Sequence, residues 1–214
     1  MIKLDIFSDP ICPWCFIGKT HLDRALESRP NHPFAIEWHP FQLNPDMPDS
    51  GMDRRAYLEG KFGGKDNAIK AYLPVAEHAE KAGLKINLEG IKVTPNTLNA
   101  HRLIHWAGIE GVQTPIVSAL FKAYFIEGRD IGDIDVLSDV ADAGGMDAAV
   151  TRKLLLSDAD AKDIRNKDAA AREMGINSVP TFIVAGQHAV SGAQPPELWQ
   201  RVIDDVLAQL AASD

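Results

Sequence analysis

The two cysteines of this 214-residue chain, Cys12 and Cys15, are separated by only two residues. They follow residues 2–6, in which every second side chain is strongly apolar, as in a strand with one buried face. Asp9-Pro10 ends this pattern, and the helical spacing of apolar residues that follows predicts a helix over residues 13–28. The cysteine pair is therefore predicted to lie at a strand-to-helix turn, which is typical of redox-active Cys-X-X-Cys motifs.

The start of a helix should make the two cysteines unequal. With Cys12 as the N-cap, Pro13 takes the first helical position, where its fixed φ fits and its missing N–H is not needed. The Cys12 sulfur is expected to accept a hydrogen bond from the N–H of Trp14 or Cys15, and the helix dipole favours its thiolate. Cys15 lies about one turn further along, within disulfide range and shielded by the helix. Cys12 is therefore predicted to be the nucleophile and Cys15 the thiol that resolves a mixed disulfide.

Two other interpretations of the pair remain open. It could be half of a zinc site, although no second cysteine pair exists and His or carboxylate ligands would be needed. It could also be two inert buried thiols. We favour redox chemistry and predict no metal site.

The composition argues against several classes of function. A net charge of −8 disfavours non-specific nucleic-acid binding and attraction to an anionic membrane. No apolar run approaches the ~20 residues of a membrane span, and the first residues lack the cationic and apolar segments of a signal peptide. We therefore predict a cytoplasmic protein. In the cytoplasm, a lone cysteine pair is more often catalytic or metal-binding than structural.

The order of predicted elements indicates the fold class. Residues 34–38 alternate like a second strand, so the chain begins β-α-β with a parallel pair. Residues 181–184 and 188–190 are predicted strands, and residues 195–211 form the predicted last helix. The helices expected between them are 53–62, 66–82, 95–108 (with Thr94 as N-cap and Pro95 in the first turn), 113–127, 133–143 and 147–156 (with Asp133 and Asp147 as N-caps) and 158–174.

This order predicts an α/β, thioredoxin-like fold, β-α-β … α-β-β-α, with a large helical insertion. Residues 1–44 and 158–214 should form the thioredoxin-like domain, and residues 45–157 the inserted helical domain. The terminal Ser213 and Asp214 are expected to fray.

A second feature, Val179-Pro180, precedes the strand-like run of residues 181–184. A cis bond here would leave the main chain of Val179 free to pair with an extended substrate peptide. The alternative is a trans proline that starts an edge strand, since only about 5–6% of X–Pro bonds are cis.

Five motifs carry a family resemblance: Asp9-Pro10-Ile11-Cys12-Pro13-Trp14-Cys15-Phe16-Ile17-Gly18, Phe41-Gln42-Leu43-Asn44-Pro45, Pro95-Asn96-Thr97-Leu98-Asn99-Ala100-His101-Arg102, Val179-Pro180-Thr181-Phe182 and Val190-Ser191-Gly192-Ala193-Gln194-Pro195. In these, and over essentially its full length, the chain resembles the DsbA family of thioredoxin-fold oxidoreductases. It looks most like the FrnE-like branch of cytoplasmic dithiol–disulfide oxidoreductases or isomerases. The resemblance implies Cys12 as nucleophile, Cys15 as resolving thiol and a cis Val179–Pro180 bond facing them.

The same superfamily includes glutathione-linked enzymes, the kappa-class glutathione transferases and the 2-hydroxychromene-2-carboxylate isomerases. These carry a serine where Cys12 stands, so keeping both cysteines favours dithiol chemistry. A glutathione-dependent isomerase or transferase acting on a small organic molecule stays the alternative function. The resemblance also implies that residues 191–194 would lie near the γ-glutamyl end of bound glutathione.

The candidate site follows from these arguments. The catalytic residues are Cys12 and Cys15, and the substrate-binding candidates are Pro13, Trp14, Asn44, Val179, Pro180, Ser191 and Gln194. No tightly bound cofactor is expected, with glutathione considered only as a co-substrate. Predicted partners are disulfide- or dithiol-containing proteins or small thiols, with no nucleic acid and no membrane, and the protein is expected to be a monomer or homodimer.

Four further residues have both a functional and a purely structural interpretation. Trp14 either shapes the substrate surface or packs on the insertion. Asp9 could perturb the thiols or relay a proton to Cys15, but we expect a solvated loop acid. Asn99 could line a groove between the core and the insertion, but we expect it to form helix caps or interdomain hydrogen bonds. His101 either lines the same groove or is a buried, satisfied histidine.

Overall fold

The computed structural model describes residues 1–212, so Ser213 and Asp214 lie outside the described residues. Its strands are β1 (Ile2–Ser8), β2 (Phe34–Pro40), β3 (Met52–Asp53), β4 (Val93–Thr94), β5 (Thr181–Val184) and β6 (His188–Ser191). Its α-helices are α1 (Pro13–Glu27), α2 (Arg54–Phe62), α3 (Lys65–Lys81), α4 (Leu98–Ile109), α5 (Gln113–Phe121), α6 (Ile134–Ala143), α7 (Ala148–Leu155), α8 (Ala161–Glu173) and α9 (Pro196–Ala211).

A four-stranded sheet in the order β2-β1-β5-β6 forms the centre of the thioredoxin-like part. Strand β1 pairs in parallel with β2, from Ile2 opposite Phe34 to Ser8 opposite Pro40, and antiparallel with β5, which in turn pairs antiparallel with β6. Helix α1 makes the crossover between β1 and β2, because parallel neighbours cannot be joined by a tight turn. The predicted thioredoxin-like fold with a large helical content is confirmed.

The helices between β2 and α8 pack on the start of α1 through aromatic side chains. Phe16 stacks on Phe121 and Phe125, with ring centroids 5.2 and 5.7 Å apart. Phe121, Tyr124 and Phe125 are fully buried in the same hydrophobic cluster as Leu4. A continuous apolar core therefore joins the sheet to the inserted helices. The boundaries of an inserted domain at residues 45 and 157 stay a prediction.

One predicted helix start is wrong, and one predicted helix changes its type along its length. Thr94 does not cap a helix: it pairs with Met52 in the small β3–β4 sheet, and α4 begins only at Leu98. The N–H of Leu98 donates instead to the Asn96 side chain over 2.9 Å. The helix predicted over 113–127 ends as α5 at Phe121 and continues as a π-helical turn, Lys122–Ile126.

The two predicted N-caps are confirmed. Asp133 and Asp147 accept hydrogen bonds from N–H groups in the first turns of α6 and α7. Pro74, expected to kink or interrupt its helix, does not interrupt it, because it lies inside α3, which runs without a break over 17 residues. Within residues 1–212, no helix is long and apolar enough to cross a bilayer.

Candidate active site

Cys12 is the N-cap of α1, with Pro13 at the first helical position, as predicted. Its thiol donates to the carbonyl oxygen of Val179, with 3.7 Å between Sγ and O. The Cys12 carbonyl accepts from the N–H groups of Cys15 and Phe16, over 3.1 and 3.2 Å. The expected bond from a helix N–H to the Cys12 sulfur is not formed. The protonated thiol acts as a donor here, and both cysteines are free thiols in this structure.

The Val179–Pro180 peptide bond is cis, as predicted, and it brings the Val179 carbonyl to the reactive sulfur. Gly18 on α1 lies against this bond: a Cβ built on Gly18 would lie 3.0 Å from Pro180 Cγ. The Pro180 carbonyl accepts from the N–H of Gly192 over 2.8 Å, which ties the turn to the end of β6. The cis-proline turn is therefore held on one side by α1 and on the other by the sheet.

Cys15 is enclosed, with 1% of its surface exposed against 4% for Cys12. Burial raises the pKa of the Cys15 thiol well above its usual range, and the hydrogen bond to Cys12 raises it further. The Asp9 N–H and the Ser8 hydroxyl act on the same pKa in the opposite direction. Burial therefore keeps the Cys15 thiol protonated.

Asp9 is not the solvated loop acid that we expected, because none of its surface is exposed. Its carboxylate accepts from the N–H of Leu43 over 2.7 Å and of Ile11 over 3.3 Å. Burial raises the pKa of Asp9 to about 7, although these two hydrogen bonds favour the ionised form. The turn after β1 lies beneath the inserted helices, and this coverage is not visible in the local sequence.

His101 on α4 faces this acid, with 3.8 Å between Nε2 and Asp9 Oδ1. The histidine is 2% exposed, and Nε2 has no hydrogen-bond partner among the described residues. Burial lowers the pKa of His101 to about 3, so the imidazole is neutral. Of the two interpretations of His101, the buried one is correct, but the ring is not fully satisfied. Asn99, as expected, serves a structural hydrogen bond, from Arg102 over 2.8 Å.

A groove of about 350 Å³ opens beside Cys12, between α1, the cis-proline turn and helices α2 and α3. It is lined by Ile11, Cys12, Pro13, Trp14, Leu43, Arg54, Tyr57, Leu58, Lys61, Phe62, Ala71, Tyr72, Val75, Thr94, Tyr124, Asn177, Ser178 and Val179. A larger cavity, about 630 Å³, runs along β2 and α4 and is lined by neither cysteine. The smaller groove is therefore the one that opens onto the Cys12 sulfur.

The wall of the groove opposite Cys12 carries cations and phenols that the sequence did not single out. The buried Arg54 donates to the hydroxyls of Tyr124 and Tyr72 over 3.1 and 3.2 Å. The exposed Lys61 donates to Tyr57 Oη over 2.8 Å. Tyr57 and Lys61 stand four residues apart on one face of α2, but nothing in the helical pattern tells which face meets the cysteines.

The structure also places each predicted substrate-binding residue. Pro13, Trp14 and Val179 line the groove, with Pro180 buried behind Val179. Trp14 also meets the ring of His78 on α3 edge to face, at 5.1 Å, so it packs on the insertion, and its role in shaping a substrate surface stays a prediction. Asn44 stands behind the wall, where its side-chain oxygen accepts from Tyr57 Oη over 2.8 Å.

Ser191 and Gln194 lie beyond the cis-proline turn and do not line this groove. The Gln194 side-chain amide donates to the Ser191 carbonyl over 2.8 Å, and the main-chain carbonyl oxygen of Gln194 lies 2.9 Å from His21 Nδ1. A role for these two residues in binding stays a prediction.

One group of side chains in the described part of the chain has the spacing of metal ligands: Asp5, Glu37 and His39, on β1 and β2. The ammonium of Lys3 lies 2.9 Å from a carboxylate oxygen of Asp5 and of Glu37, so a protein cation already neutralises these carboxylates. This group is an ion-pair network on the sheet surface and is separate from the cysteines.

Comparisons with known proteins agree with this fold. The model of the DsbA-like thioredoxin domain matches residues 3–204. YwbO of Bacillus subtilis (strain 168) is 29% identical over 209 residues, which cover 95% of this chain and 96% of that protein. The crystal structure of SCO1869 from Streptomyces coelicolor, described as a probable DsbA oxidoreductase, superposes with a TM-score of 0.86 at 25% identity, covering 97% of this chain and 91% of that one.

The cytosolic disulfide reductase DsbM from Pseudomonas aeruginosa, solved with GSH, shares the fold at a TM-score of 0.70 and 16% identity, covering 96% of this chain and 99% of DsbM. A 2-hydroxychromene-2-carboxylate isomerase does so at 0.71 and 17%, covering 99% of both chains. At this level of identity, the two neighbours show a shared fold. The family model covers nearly the whole chain, so this protein belongs to the family of DsbA-like thioredoxin-domain proteins.

Proposed function

We propose that this protein is a thiol–disulfide oxidoreductase or isomerase in which Cys12 is the nucleophile and Cys15 the resolving thiol. The observation that carries the proposal is the position of Cys12 Sγ, at the start of α1, beside the Val179 carbonyl and at the wall of a groove. A sulfur at this position is next to the helix N–H groups, which stabilise a thiolate, and next to main chain that can pair with a substrate.

The cycle balances without a cofactor. The Cys12 thiolate attacks a substrate disulfide, one substrate thiolate leaves and takes a proton from water, and a mixed disulfide forms at Cys12. Cys15 then loses its proton to solvent base and attacks Cys12 Sγ. The Cys12–Cys15 disulfide forms, the bond to the substrate breaks and the second substrate thiol is released. The protein loses two electrons and the substrate gains them; the reverse sequence oxidises a substrate dithiol.

The groove indicates which substrates can reach Cys12. A volume of about 350 Å³ is at the low end of small-molecule sites, so small thiols and disulfides or one extended peptide segment are the expected occupants. Exposed Asn177 and Ser178 border it, and they leave the cis-proline side open to a longer chain. We place this activity in the cytoplasm, where a lone cysteine pair is seldom structural.

The test compares the wild-type protein with Cys12→Ser and Cys15→Ser in the reduction of a peptide disulfide and of glutathione disulfide. Cys12→Ser should abolish both reactions. Cys15→Ser should stop after one turnover, with the substrate half held on Cys12 as a mixed disulfide that mass spectrometry detects. Turnover by Cys12→Ser at the wild-type rate would overturn the proposal. Equilibration of the pair with glutathione redox buffers then gives the preferred direction of exchange.

A glutathione-dependent isomerase or transferase is the second candidate, favoured by the two cations, Arg54 and Lys61, on a groove wall that could receive an anionic thiol. This function needs one sulfur at most. The candidates separate in Cys15→Ser, which would keep full multiple-turnover activity on a small organic substrate only if this second function were correct.

A further inference from the structure

Ser8 is a buried polar residue that the proposed cycle has not used so far. It is the last residue of β1, in which Leu4 and Ile6 point into the core cluster that includes Cys12, Cys15 and Leu22. Side chains alternate along a strand, so Ser8 points to the same side, toward the start of α1. Its side chain is 6% exposed, and Oγ has no hydrogen-bond partner among the residues described. A hydroxyl buried in this way usually has a partner.

Cys15 belongs to the core cluster that Leu4 and Ile6 enter, on the side of β1 to which Ser8 points. The Ser8 hydroxyl and the Asp9 N–H are two groups that act in favour of a thiolate at this sulfur. In this structure the Ser8 hydroxyl is near enough to act on the Cys15 pKa, but its Oγ makes no hydrogen bond within the described residues. Once Cys15 loses its proton, the sulfur becomes an acceptor, and the Ser8 hydroxyl can rotate to donate to it.

We propose that Ser8 is a hydrogen-bond donor for the Cys15 thiolate in the step that resolves the mixed disulfide. The inference rests on the proposed function and deepens it. In this step the Cys15 thiol gives its proton to solvent base, and Ser8 keeps its own proton while donating a hydrogen bond to the resulting thiolate. The thiolate then attacks Cys12 Sγ, the Cys12–Cys15 bond forms and the substrate thiolate leaves. In the reverse direction Ser8 stabilises Cys15 as the leaving thiolate.

The physical need for such a donor follows from the burial of Cys15. A thiolate with 1% of its surface exposed has little access to water, so donors from the protein must replace the lost hydration. No cation acts on the Cys15 pKa, whose causes are burial, Cys12, Asp9 and Ser8. Ser8 and the Asp9 N–H together therefore stabilise a charge that exists only during the reaction.

The alternative is that a serine stands here only because a small side chain fits. The two interpretations predict different behaviour for Ser8→Ala. Because the hydroxyl has no partner in the resting structure, its removal breaks no hydrogen bond, and the folded dithiol protein should unfold at the wild-type temperature or slightly above. A functional role should appear only in the kinetics of Cys15. Ser8→Thr keeps a hydroxyl and is the matched conservative variant.

The experiment mixes the reduced protein with one equivalent of dithiobis(nitrobenzoate), an aromatic disulfide that releases a coloured thiolate. The first release reports the attack of Cys12, and the second reports the attack of Cys15 on the mixed disulfide. The rates of both phases are measured against pH in the wild type, Ser8→Ala and Ser8→Thr. Cys15→Ser, which gives only the first release, defines the amplitude of each phase.

In Ser8→Ala, the first phase should keep the wild-type rate within about twofold, while the second slows by about 10-fold or more, the effect of losing one hydrogen bond to a charged group. The pH midpoint of the second phase should move upward. Ser8→Thr should restore the rate to within about threefold. The titratable groups near Cys15 and Ser8 are Cys12, Asp9 and His101, and they are the same in all three proteins. A shift in the pH midpoint of the second phase therefore reports the loss of the Ser8 hydroxyl.

A second phase with the wild-type rate and pH midpoint in Ser8→Ala would overturn the role of Ser8 and leave the proposed function intact. A slow second phase with an unmoved midpoint, not restored by Ser8→Thr, would also overturn it, since loss of fit alone would explain that result. A wild-type protein that releases no coloured thiolate through Cys12 would instead contradict the proposed function itself.

Discussion

The thiol of Cys12 and the carbonyl of Val179 form a hydrogen bond of 3.7 Å, although 167 residues separate them in the chain. This contact joins the helix start, which favours a thiolate, to the cis-proline turn, which offers main chain to a substrate. Neither half is a site by itself. The behaviour of the pair depends on the buried groups behind it and on the helices that wall the groove, and each of these can be tested separately.

Asp9→Asn tests the buried acid. Burial raises the pKa of Asp9 to about 7 in the folded protein, whereas an unfolded Asp has a pKa of about 3.9. Between these values the folded protein holds a proton that the unfolded chain has lost. Stability from Asp9 is therefore greatest at low pH and falls as the pH rises, by about 1.4 kcal/mol per pH unit. The asparagine cannot ionise, so the free energy of unfolding of Asp9→Asn should rise relative to wild type across this window.

Urea unfolding of both proteins at a series of pH values measures this difference. His101, whose pKa is lowered to about 3, changes stability in the opposite direction over the same window, but it is present in both proteins. Asp142→Asn, at an exposed position near the end of α6, is the control for the replacement of a carboxylate by an amide. A flat difference for Asp9→Asn would mean that the Asp9 carboxyl is not kept neutral by burial.

Gly18→Ala should disturb the cis-proline turn. The added Cβ would lie 3.0 Å from Pro180 Cγ and 3.3 Å from Ala193 Cα, and neither a proline ring nor main chain yields easily. We expect a loss of about 1–3 kcal/mol in the free energy of unfolding, as for other overpacked contacts. The reaction of Cys12 with a small disulfide should also slow, because the Val179 carbonyl would move away from the sulfur.

Gly60→Ala is the matched control for that variant. Gly60 lies inside α2, and a Cβ built there meets no atom within 4 Å. The replacement should therefore gain about 0.5–1 kcal/mol from helix propensity and leave the chemistry of Cys12 unchanged. If Gly18→Ala behaved like Gly60→Ala, the close packing of α1 on the cis-proline turn would be disproved.

Arg102→Met should destabilise the protein without touching the groove. The Arg102 guanidinium is 2% exposed and donates to the carbonyls of Ala159 and Leu154 over 2.7 Å and of Ser157 over 3.0 Å. Methionine fills much of the space but leaves these buried acceptors unpaired, so we expect a loss of about 3 kcal/mol or more in chemical unfolding. Arg165→Met, at an exposed position on α8, should change stability by about 0.5 kcal/mol or less; equal effects would contradict the role of Arg102.

Lys61→Gln tests the charge on the groove wall. The Lys61 ammonium is exposed and reaches the groove beside Tyr57. Its removal should slow the reaction with glutathione disulfide, which is anionic, by about two- to fivefold, the scale of an exposed charge pair. The rate with the neutral hydroxyethyl disulfide should not change. The difference should disappear at about 1 M salt, where the screening length is about 3 Å.

Lys65→Gln serves as the control for Lys61, since Lys65 begins α3 and does not line this groove. An equal loss in both variants would indicate a general effect of net charge. An equal loss with anionic and neutral disulfides would indicate that Lys61 acts by packing.

The sequence was sufficient for features that depend on neighbours along the chain. The alternation in β1, the proline at the first position of α1 and the spacing of Cys12 and Cys15 are local, so the reactive turn and the order of elements could be predicted. The start of α4 shows the limit of this reasoning. Thr94-Pro95 has the residue types of a helix start, but Thr94 pairs with Met52 of β3 and so belongs to a strand. The helix begins only after Asn96, whose side chain accepts from the N–H of Leu98.

Only the tertiary structure decided the environment of the sulfur atoms. The inserted helices cover Asp9, which turns an expected surface acid into a buried one, and they bring Tyr57 and Lys61 to the groove. Ser8 lies toward Cys15 because α1 packs on the face of β1 that carries the Ser8 side chain. Whether a side chain is buried, and which groups it faces, depends on which surfaces of distant helices and strands pack together. A local sequence pattern does not specify that packing. The cysteine pair could be recognised from the sequence, whereas the side chains and main-chain groups that surround the two sulfur atoms came together only on folding.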